Sequence, residues 1–141
     1  MSDEATIRAS LQIDNGDFHY RSYPTSFQAD VTGKHGPTPG SVTVSVAGID
    51  VSLAELAVPG LCVIENQDPT NFVTFGIWDP ETTKFYPLGE LLPGEIYVLR
   101  LSRDLAWEYG AGTGTTGPET NTLRFRANTA ACSVFIGAFA V

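Results

Sequence analysis

Positive charge is scarce in this sequence, which has eight lysine and arginine residues against sixteen aspartate and glutamate residues and a formal net charge of −8. The only lysines are Lys34 and Lys84. Proteins that bind nucleic acids need clustered cations to displace the counterions of the phosphates, and anionic membranes attract proteins in the same way. The composition therefore predicts that neither nucleic acids nor membranes are partners of this protein.

Cysteine and histidine, which often bind metals or take part in catalysis, are also few. Cys62 and Cys132 lie in the apolar runs LCVI and ACSVFI, where we expect buried free thiols, with a disulfide between them as the alternative. His19 and His35 are far apart and belong to no H-x-H or H-E-x-x-H pattern. No serine lies in a G-x-S-x-G motif. We therefore predict no metal site, no cofactor and no enzymatic activity.

No apolar run approaches the length of a membrane span. The N-terminal segment MSDEATIRAS is polar and acidic and lacks the cationic and apolar regions of a signal peptide, so we expect a soluble protein made in a cytoplasm. Helical patterns are confined to Leu53–Val58 and Arg103–Tyr109, which suffice for a turn or two and are ended by Pro59 and Gly110.

What the sequence does contain is a period of two. Apolar and polar residues alternate from Ile7 to Ile13, which predicts one strand with one buried face. The dipeptide Asn15-Gly16 then predicts a hairpin turn, with Phe18–Arg21 as the returning strand. The other predicted strands are Phe27–Thr32, Val42–Val46, Ile49–Leu53, Leu61–Glu65, Phe72–Trp78, Lys84–Leu88, Ile96–Leu101, Leu123–Ala127 and Cys132–Val141.

About ten short strands with turn residues every 8–12 residues or so predict an all-β fold. The architecture expected from them is an antiparallel β-sandwich that is jelly-roll-like, since such a fold hides most sheet edges. The chain has 141 residues and a mass of 15.1 kDa, so we expect one domain over residues 1–141.

The stretch GTGTTG, residues 112–117, matches the G-x-G-x-x-G pattern of dinucleotide-binding proteins. That pattern works only between a strand and a helix, whose N-terminal amides hold the pyrophosphate. Here Pro118 and then a predicted strand follow, and no helix opens. We interpret residues 110–121 as an exposed loop between strands, available to contact a neighbouring protein or a sugar.

Acidic residues near turns offer two further chemistries. Asp14 and Asp17 flank the Asn-Gly turn, but the segment lacks the ligand series of an EF-hand, so a plain hairpin is the favoured interpretation over a Ca²⁺ site. A carboxylate pair of the glycosidase kind would have to come from Glu65, Asp68, Asp79 and Glu81. Most of these lie beside turn prolines, where acidic residues are common, and we interpret them as solvated.

Two strands are apolar on both faces, namely Phe72–Trp78 and Cys132–Val141. Because a strand of a monomeric sandwich exposes one face to solvent, a second apolar face indicates either a small closed core or a subunit interface. We favour the interface, since large exposed apolar patches mark contact sites. The interface residues predicted in this way are Phe72, Trp78, Phe135, Phe139 and Val141.

The segment Gly60–Leu101 and the final stretch NTLRFRANTAACSVFIGAFAV resemble a pattern found in small virion proteins of tailed phages. In that pattern, a strand that ends in Asn and an Asp-x-Thr-Asn turn lead to a strand that begins with an aromatic residue. Segments like FYPLGELLPGE and IYVLRL follow, and a basic strand and an Ala/Thr turn precede the terminal strand. The likeness covers residues from about 60 to 141 and contains no catalytic motif.

This resemblance implies a capsid decoration (cement) protein, or a small head or tail accessory protein, of jelly-roll type. It implies a homo-oligomer, with a trimer as the expected state, that binds the major capsid protein or another virion protein. The expected location is the virion, after synthesis in the host cytoplasm. The family supplies no active-site positions to transfer.

A lectin-like carbohydrate-binding β-sandwich is the alternative function. Trp107 and Tyr109 are its candidate ligand-contacting residues, and Trp78 and the other tyrosines could also stack on sugars. The loop of residues 110–122 would frame the site. An enzyme ranks third, since no group of residues in the sequence indicates a catalytic pocket.

Overall fold

The computed structural model describes residues 4–22, 25–30, 37–56, 58–79, 82–102 and 122–140. Their regular secondary structure is all β, and the strands pair antiparallel, which confirms the predicted fold class. Twelve strands are present among these residues, where about ten were predicted. They are β1 (Glu4–Ala9), β2 (Gln12–Asn15), β3 (Phe18–Arg21), β4 (Thr25–Asp30), β5 (Thr38–Val44), β6 (Ile49–Ser52), β7 (Pro59–Asn66), β8 (Val73–Asp79), β9 (Lys84–Leu91), β10 (Ile96–Arg100), β11 (Thr122–Ala127) and β12 (Cys132–Ala140).

The chain divides into two compact units, one within residues 1–32 and the other within residues 33–140. The first holds β1 to β4 and the second holds β5 to β12. The expectation of one domain over residues 1–141 stays a prediction.

In the first unit, β1 pairs with β4, and β2 pairs with β3 across the predicted Asn-Gly turn, where Gly16 has a φ of +57°. The prediction of a single strand from Ile7 to Ile13 is wrong, because β1 and β2 have different partners and the chain leaves one ladder before it joins the other. At the break, Leu11 and Ser22 exchange two bonds: the Ser22 N–H donates to the Leu11 carbonyl (2.8 Å) and the Leu11 N–H donates to the Ser22 hydroxyl (2.7 Å).

In the second unit, two four-stranded sheets have the orders β10-β7-β12-β5 and β6-β11-β8-β9. Counting β5 as the first of eight strands, one sheet runs first, eighth, third, sixth, and the other runs second, seventh, fourth, fifth. This is the strand order of a jelly roll, in which consecutive strands alternate between the sheets except for the fourth and fifth, which pair as a hairpin, and the last strand lies beside the first. We refer to this unit as the jelly roll.

The core of the jelly roll lies between the inward faces of its two sheets. Alternate residues of β12, from Cys132 to Ala138, are fully buried, and Phe125 of β11 is 0% exposed. The remaining core residues are Val44, Val51, Leu53, Leu56, Ile64, Val73, Phe75, Leu91, Leu101, Leu123, Ala127 and Ala140, with Cys62. A core of this size, made of buried apolar side chains, is stabilised mainly by the hydrophobic effect.

Asn66, at the end of β7, is the one polar side chain that is fully buried in the described part of the chain. Its Nδ2 donates to the backbone carbonyls of Asn71 (2.8 Å), Leu91 (3.1 Å) and Leu92 (3.2 Å), and its Oδ1 accepts from the Asp68 N–H (3.1 Å). Because β7 and β9 belong to different sheets, this amide joins the two sheets at one end of the jelly roll.

Several predicted bounds differ from the observed ones. The strand predicted over Lys84–Leu88 continues to Leu91, and the one predicted to begin at Val42 begins at Thr38. In Leu53–Val58, the sequence allowed a turn or two of helix, and the chain forms a turn closed by the Leu56 N–H and the Leu53 carbonyl (2.9 Å). No helix occurs in the described residues, and none of them therefore forms a helix that could span a membrane.

Candidate functional site

Most of the large apolar side chains that are exposed in the described residues collect on two surfaces. The first is on the β2–β3 hairpin, which we call the ribbon, and its residues are Leu11, Ile13, Phe18 and Tyr20. The second lies along β9, β10 and the turn between them, which we call the β9–β10 edge, and its residues are Tyr86, Leu88, Leu92, Ile96, Tyr97 and Val98.

The ribbon has one apolar face. Ile13 lies opposite Tyr20, and Asn15 lies opposite Phe18, so the alternation of the two strands places their apolar side chains on the same side. Every residue of both strands is exposed, and Phe18 retains 60% of its surface. The sequence correctly predicted the hairpin, but it also predicted that this face is buried, and in this chain it is open to solvent.

The opposite face of the ribbon is polar and internally bonded. Gln12 Nε2 donates to Asp14 Oδ2 (2.7 Å), Arg21 Nη2 donates to Gln12 Oε1 (3.1 Å), and His19 Nδ1 lies 2.9 Å from Asp14 Oδ1. The hydrogen bond from Gln12, followed by that from His19, lowers the pKa of the Asp14 carboxyl. This network uses the Asp14 carboxylate as an acceptor, so the hairpin interpretation is favoured over a Ca²⁺ site.

The β9–β10 edge consists of the two outermost strands on one side of the jelly roll. In the described residues, β9 pairs only with β8 and β10 pairs only with β7, so each strand has an unpaired backbone edge. Opposite β8, a bulge in β9 leaves Leu88 without a partner between Pro87 and Gly89, and Leu88 is 65% exposed.

Two tyrosines show that the core is uncovered along this edge. By register, Tyr86 pairs with the inward-facing Ile77 and Tyr97 pairs with Ile64, and the Tyr97 ring lies 5.9 Å from the ring of buried Phe75. Tyr86 and Tyr97 nevertheless keep 49% and 52% of their surfaces exposed. Residues that a closed sandwich would bury are here at the surface.

Phe135 and Phe139, two of the predicted interface residues, lie on the outward face of β12 and are half-buried. Phe135 and Ile96 both pair with Glu65 of β7, and Gly137 and Val98 both pair with Val63. The outward face of this sheet therefore carries apolar side chains on β10 and β12, with Val63 of β7 between Val98 and Gly137 and the Glu65 carboxylate between Ile96 and Phe135. Through Ile96 and Val98 this face is continuous with the β9–β10 edge. This continuity supports the interface role of Phe135 and Phe139, which stays a prediction.

Trp78 lies on the outward face of the other sheet, where it is paired with an arginine. The Arg124 guanidinium carbon lies 4.1 Å from the centroid of the Trp78 ring. Nη1 of Arg124 donates to both carboxylate oxygens of Asp50 (3.0 Å each), and Nη2 donates to the Ala47 carbonyl (3.2 Å). One face of the indole is thus occupied within the chain, and the structure does not place Trp78 on one sheet face with Phe135 and Phe139.

Phe72, which immediately precedes β8, lines a pocket of about 340 Å³ together with Val46, Thr74, Arg126, Ala127 and Asn128. The Oδ1 atom of Asn128 is buried and has no hydrogen-bond partner among the described residues. The pocket thus combines an aromatic ring, a guanidinium, a hydroxyl and an amide. Arg126 also lies over the Phe85 ring, 5.4 Å from its centroid. The sequence identified Phe72 but not the polar residues around it.

The remaining predicted site residues lie outside the described residues. They are Val141 of the predicted interface and Trp107 and Tyr109 of the alternative carbohydrate site. The glycine-rich stretch of residues 112–117 and His35 also fall outside.

The cysteines are buried and free, which confirms the prediction of unpaired thiols. Burial raises the pKa of the Cys62 thiol to about 12, and burial together with the negative charge of Asp68 raises the pKa of the Cys132 thiol. A thiol with a raised pKa is a poor nucleophile at neutral pH, since the thiolate is the reactive form. In the described parts of the chain, no three side chains of histidine, cysteine, aspartate or glutamate converge as metal ligands would.

The acidic residues considered for acid–base chemistry are used in turns. Asp68 Oδ1 accepts from the backbone N–H groups of Asn71 (2.6 Å) and Thr70 (2.8 Å), and these bonds, that of Asn71 first, lower the pKa of Asp68. Asp79 accepts from the Thr82 N–H (3.3 Å) in the next turn. Glu65 lies away from both turns on the outward face of β7. Glu81 lies outside the described residues.

Sequence reasoning missed the exposure of the ribbon and of the β9–β10 edge. One signal for the ribbon was present in the sequence. Both of its strands carry apolar residues at alternate positions, so the hairpin has an apolar face that needs a second layer to cover it. For the edge, Ile96, Tyr97 and Val98 form a continuous apolar run that is too apolar for a strand with a solvated outer side.

Comparison with known proteins gives no further guide: no protein-family model, no curated protein and no solved structure matches this chain.

Proposed function

We propose that this protein is a structural component of a tailed-phage virion, a capsid decoration protein that assembles with itself and binds the outside of the head. The observation that carries the proposal is the largely apolar surface that runs from the β9–β10 edge onto the outward face of β7 and β12, where Glu65 is its charged residue on β7. A surface of this kind is costly in water and is typical of protein contacts. The likeness of residues from about 60 to 141 to small virion proteins supplies the virion context.

The fold is compatible with this role but does not select it. Jelly rolls occur in viral capsid proteins and in lectins, and a fold by itself does not fix a function. The surface is the better guide, because the large side chains exposed on β9 and β10 are apolar, whereas the two thiols of the described residues are buried and have raised pKa values. An acidic protein with two lysines also suits a position on the outside of the shell, away from packaged DNA.

The mechanism would be mass action. A subunit that binds the assembled shell but not its free components stabilises the shell by the free energy of binding. An oligomer that attaches at several equivalent points binds more tightly than one subunit does, because the second and third contacts form at a high effective concentration. A trimer would match the threefold positions of an icosahedral surface.

The test is the oligomeric state together with binding to heads. We expect light scattering after size-exclusion chromatography to give a trimer at micromolar concentration, and we expect the protein to sediment with purified phage heads. The matched variants are Val98→Asp on the proposed surface and Thr74→Asp on the outward face of the other sheet. Val98→Asp should weaken assembly and Thr74→Asp should not. A wild-type monomer that leaves heads unbound contradicts the proposal.

A carbohydrate-binding role is the second candidate, and the pocket beside Phe72 favours it. A sugar ring could stack on Phe72 while its hydroxyls bond to Arg126, Thr74 and the side-chain amide of Asn128. A glycan array would test this role. Binding to one sugar class that is lost in Arg126→Ala and in Asn128→Ala would favour the carbohydrate role over the structural one.

A further inference from the structure

The ribbon presents an apolar face that its own two strands cannot cover. An isolated two-stranded hairpin is at best marginally stable in water, because it has no second layer against which to pack. Here the polar face is bonded internally through Gln12, Asp14, His19 and Arg21, while Phe18 and the other apolar residues face solvent. A ribbon built in this way lacks only a surface that covers one side.

We propose that the apolar face of the ribbon docks on the β9–β10 edge of a second copy of this chain. The proposal rests on the proposed function, since it names the contact through which the protein would assemble. The edge is the other large exposed apolar surface of the described residues, and its length suits the ribbon. Four residues of a ribbon strand span about 13 Å and five residues of β10 span about 17 Å.

The areas also match. Four half-exposed side chains of the size of leucine or tyrosine present about 100 Å² each, or about 400 Å² for the ribbon face, and the β9–β10 edge presents a little more. A standard interface buries about 800 Å² on each partner. Each ribbon–edge contact would bury about 400 Å² on each partner, which is about half of a standard interface. In a ring each copy makes two such contacts, one through its ribbon and one through its edge, so about 800 Å² of each copy would be buried.

Charge fixes the orientation of the ribbon on the edge. The turn from Leu92 to Glu95 reverses the chain. Lys84 at the start of β9 and Arg100 at the end of β10 therefore lie at one end of the edge, and Glu90 and Glu95 lie toward the other end. The ribbon carries Asp14 and Asp17 beside its turn and Arg21 at its base. Its acidic tip therefore belongs at the Lys84 end and its base at the Glu95 end.

This contact is heterologous, since two different surfaces meet. Such contacts close into rings when the rotation between copies allows it. A closed ring of three would leave no ribbon and no edge uncovered, in agreement with the trimer proposed above.

The first experiment compares two double variants of the full chain by light scattering and by sedimentation over a concentration series. Phe18→Ser with Tyr20→Ser removes the aromatic residues of the apolar face, and Gln12→Ser with His19→Ser is the control on the polar face of the ribbon. We expect the first variant to raise the dissociation constant of the oligomer by about 100-fold or more and the control to leave it within about threefold.

The second experiment identifies the acceptor. Tyr20→Cys and Leu88→Cys are prepared as two separate proteins and oxidised alone and as a mixture. We expect a disulfide-linked pair of chains only in the mixture, since the contact joins the ribbon of one copy to the edge of another. The buried thiols of Cys62 and Cys132 should not contribute.

The outcomes separate the two proposals. An oligomer that persists in the Phe18→Ser, Tyr20→Ser variant overturns this inference and leaves the proposed function standing. If that variant stays oligomeric but no longer binds heads, the occupant of the ribbon is the shell and the inference is wrong. If the variant dissociates without a cross-link in the mixture, the edge is not the acceptor. A wild-type monomer overturns both.

Discussion

The ribbon and the jelly roll keep their apolar residues in opposite places. In the jelly roll, the inward side chains of β7, β11 and β12 are buried and Phe125 has no exposed surface. In the ribbon, all eight residues of β2 and β3 are exposed, and the apolar ones among them face the same side. Both regions are antiparallel β-structure built from alternating sequences, so the strand pattern does not account for the difference.

The comparison shows which apolar residues are explained by the stability of the folded chain and which are not. A buried side chain contributes about 25 cal/mol for each Å² of apolar surface removed from water, and this is reason enough for its presence. An apolar side chain that stays in water contributes nothing to the stability of the free chain. The stability of the fold accounts for the buried core but not for the ribbon face and the β9–β10 edge, which are the surfaces that the proposed assembly would cover.

The largest contrast is expected between Phe125→Ala and Phe18→Ala. The first leaves a cavity in the core and should lower the free energy of unfolding by about 4 kcal/mol. The second removes a side chain that is 60% exposed and should change it by no more than about 0.5 kcal/mol in the monomer. Urea unfolding of dilute protein measures both. A large loss in Phe18→Ala under these conditions would mean that the ribbon face is covered within one chain.

The second contrast sharpens the role of polar groups in the jelly roll. Asn66→Ala removes the partners of three backbone carbonyls and one N–H and should cost about 3 kcal/mol. Asn128→Ala is the matched control, because the Oδ1 atom of Asn128 is buried without a partner and little is lost with it. Thermal and urea unfolding should show a cost within about 0.5 kcal/mol for this control. Equal effects of the two substitutions would contradict the role assigned to Asn66.

A smaller effect is expected on the outward face of the sheet β6-β11-β8-β9. Arg124→Lys keeps the positive charge but removes the guanidinium group. The hydrogen bonds of that group to Asp50 and to the Ala47 carbonyl are lost, and so is its stacking on the Trp78 ring. We expect a cost of about 1.5 kcal/mol, since lysine reproduces neither the bidentate geometry nor the planar stacking. Arg126→Lys is the control on the same strand, because Arg126 is exposed and should cost about 0.5 kcal/mol or less. Indole fluorescence, measured in a Trp107→Phe background so that Trp78 is the single tryptophan, reports on Trp78 during unfolding.

Sequence reasoning was most accurate where the determining interactions are local. The Asn-Gly turn and the strand Phe18–Arg21 were predicted to the residue, because turn chemistry and alternation act over a few positions. The partner of each strand was not predictable in this way. Alternation continues through Ser10 and Leu11, and only the change from one ladder to another breaks the strand there.

The candidate site was predictable in part for a related reason. The two-sided apolar pattern of the last strand led to Phe135 and Phe139, which do lie on an outward face. The same reasoning placed Trp78 with them, and the strand order puts it on the other sheet beside Arg124. Alternation also predicts that an apolar face is buried, but it does not identify the surface that covers it. For this reason the sequence did not show that the ribbon and the β9–β10 edge are exposed.

The smallest expected effect lies on the polar face of the ribbon. The pKa of Asp14 is lowered by the hydrogen bonds from Gln12 and His19, so the carboxylate favours the paired hairpin above its ordinary pKa of 3.8, and this contribution is lost as the pH falls through the lowered value. Because the Asp14 side chain keeps 56% of its surface exposed, the effect should be local to the ribbon and should leave the jelly roll folded. A carboxyl titration by NMR should give a pKa below 3.8 for Asp14 and a return toward 3.8 in Gln12→Ala. If the titration of Asp14 instead unfolded both units together, the ribbon would be as firmly held as the core, and the contrast between the two regions would fail.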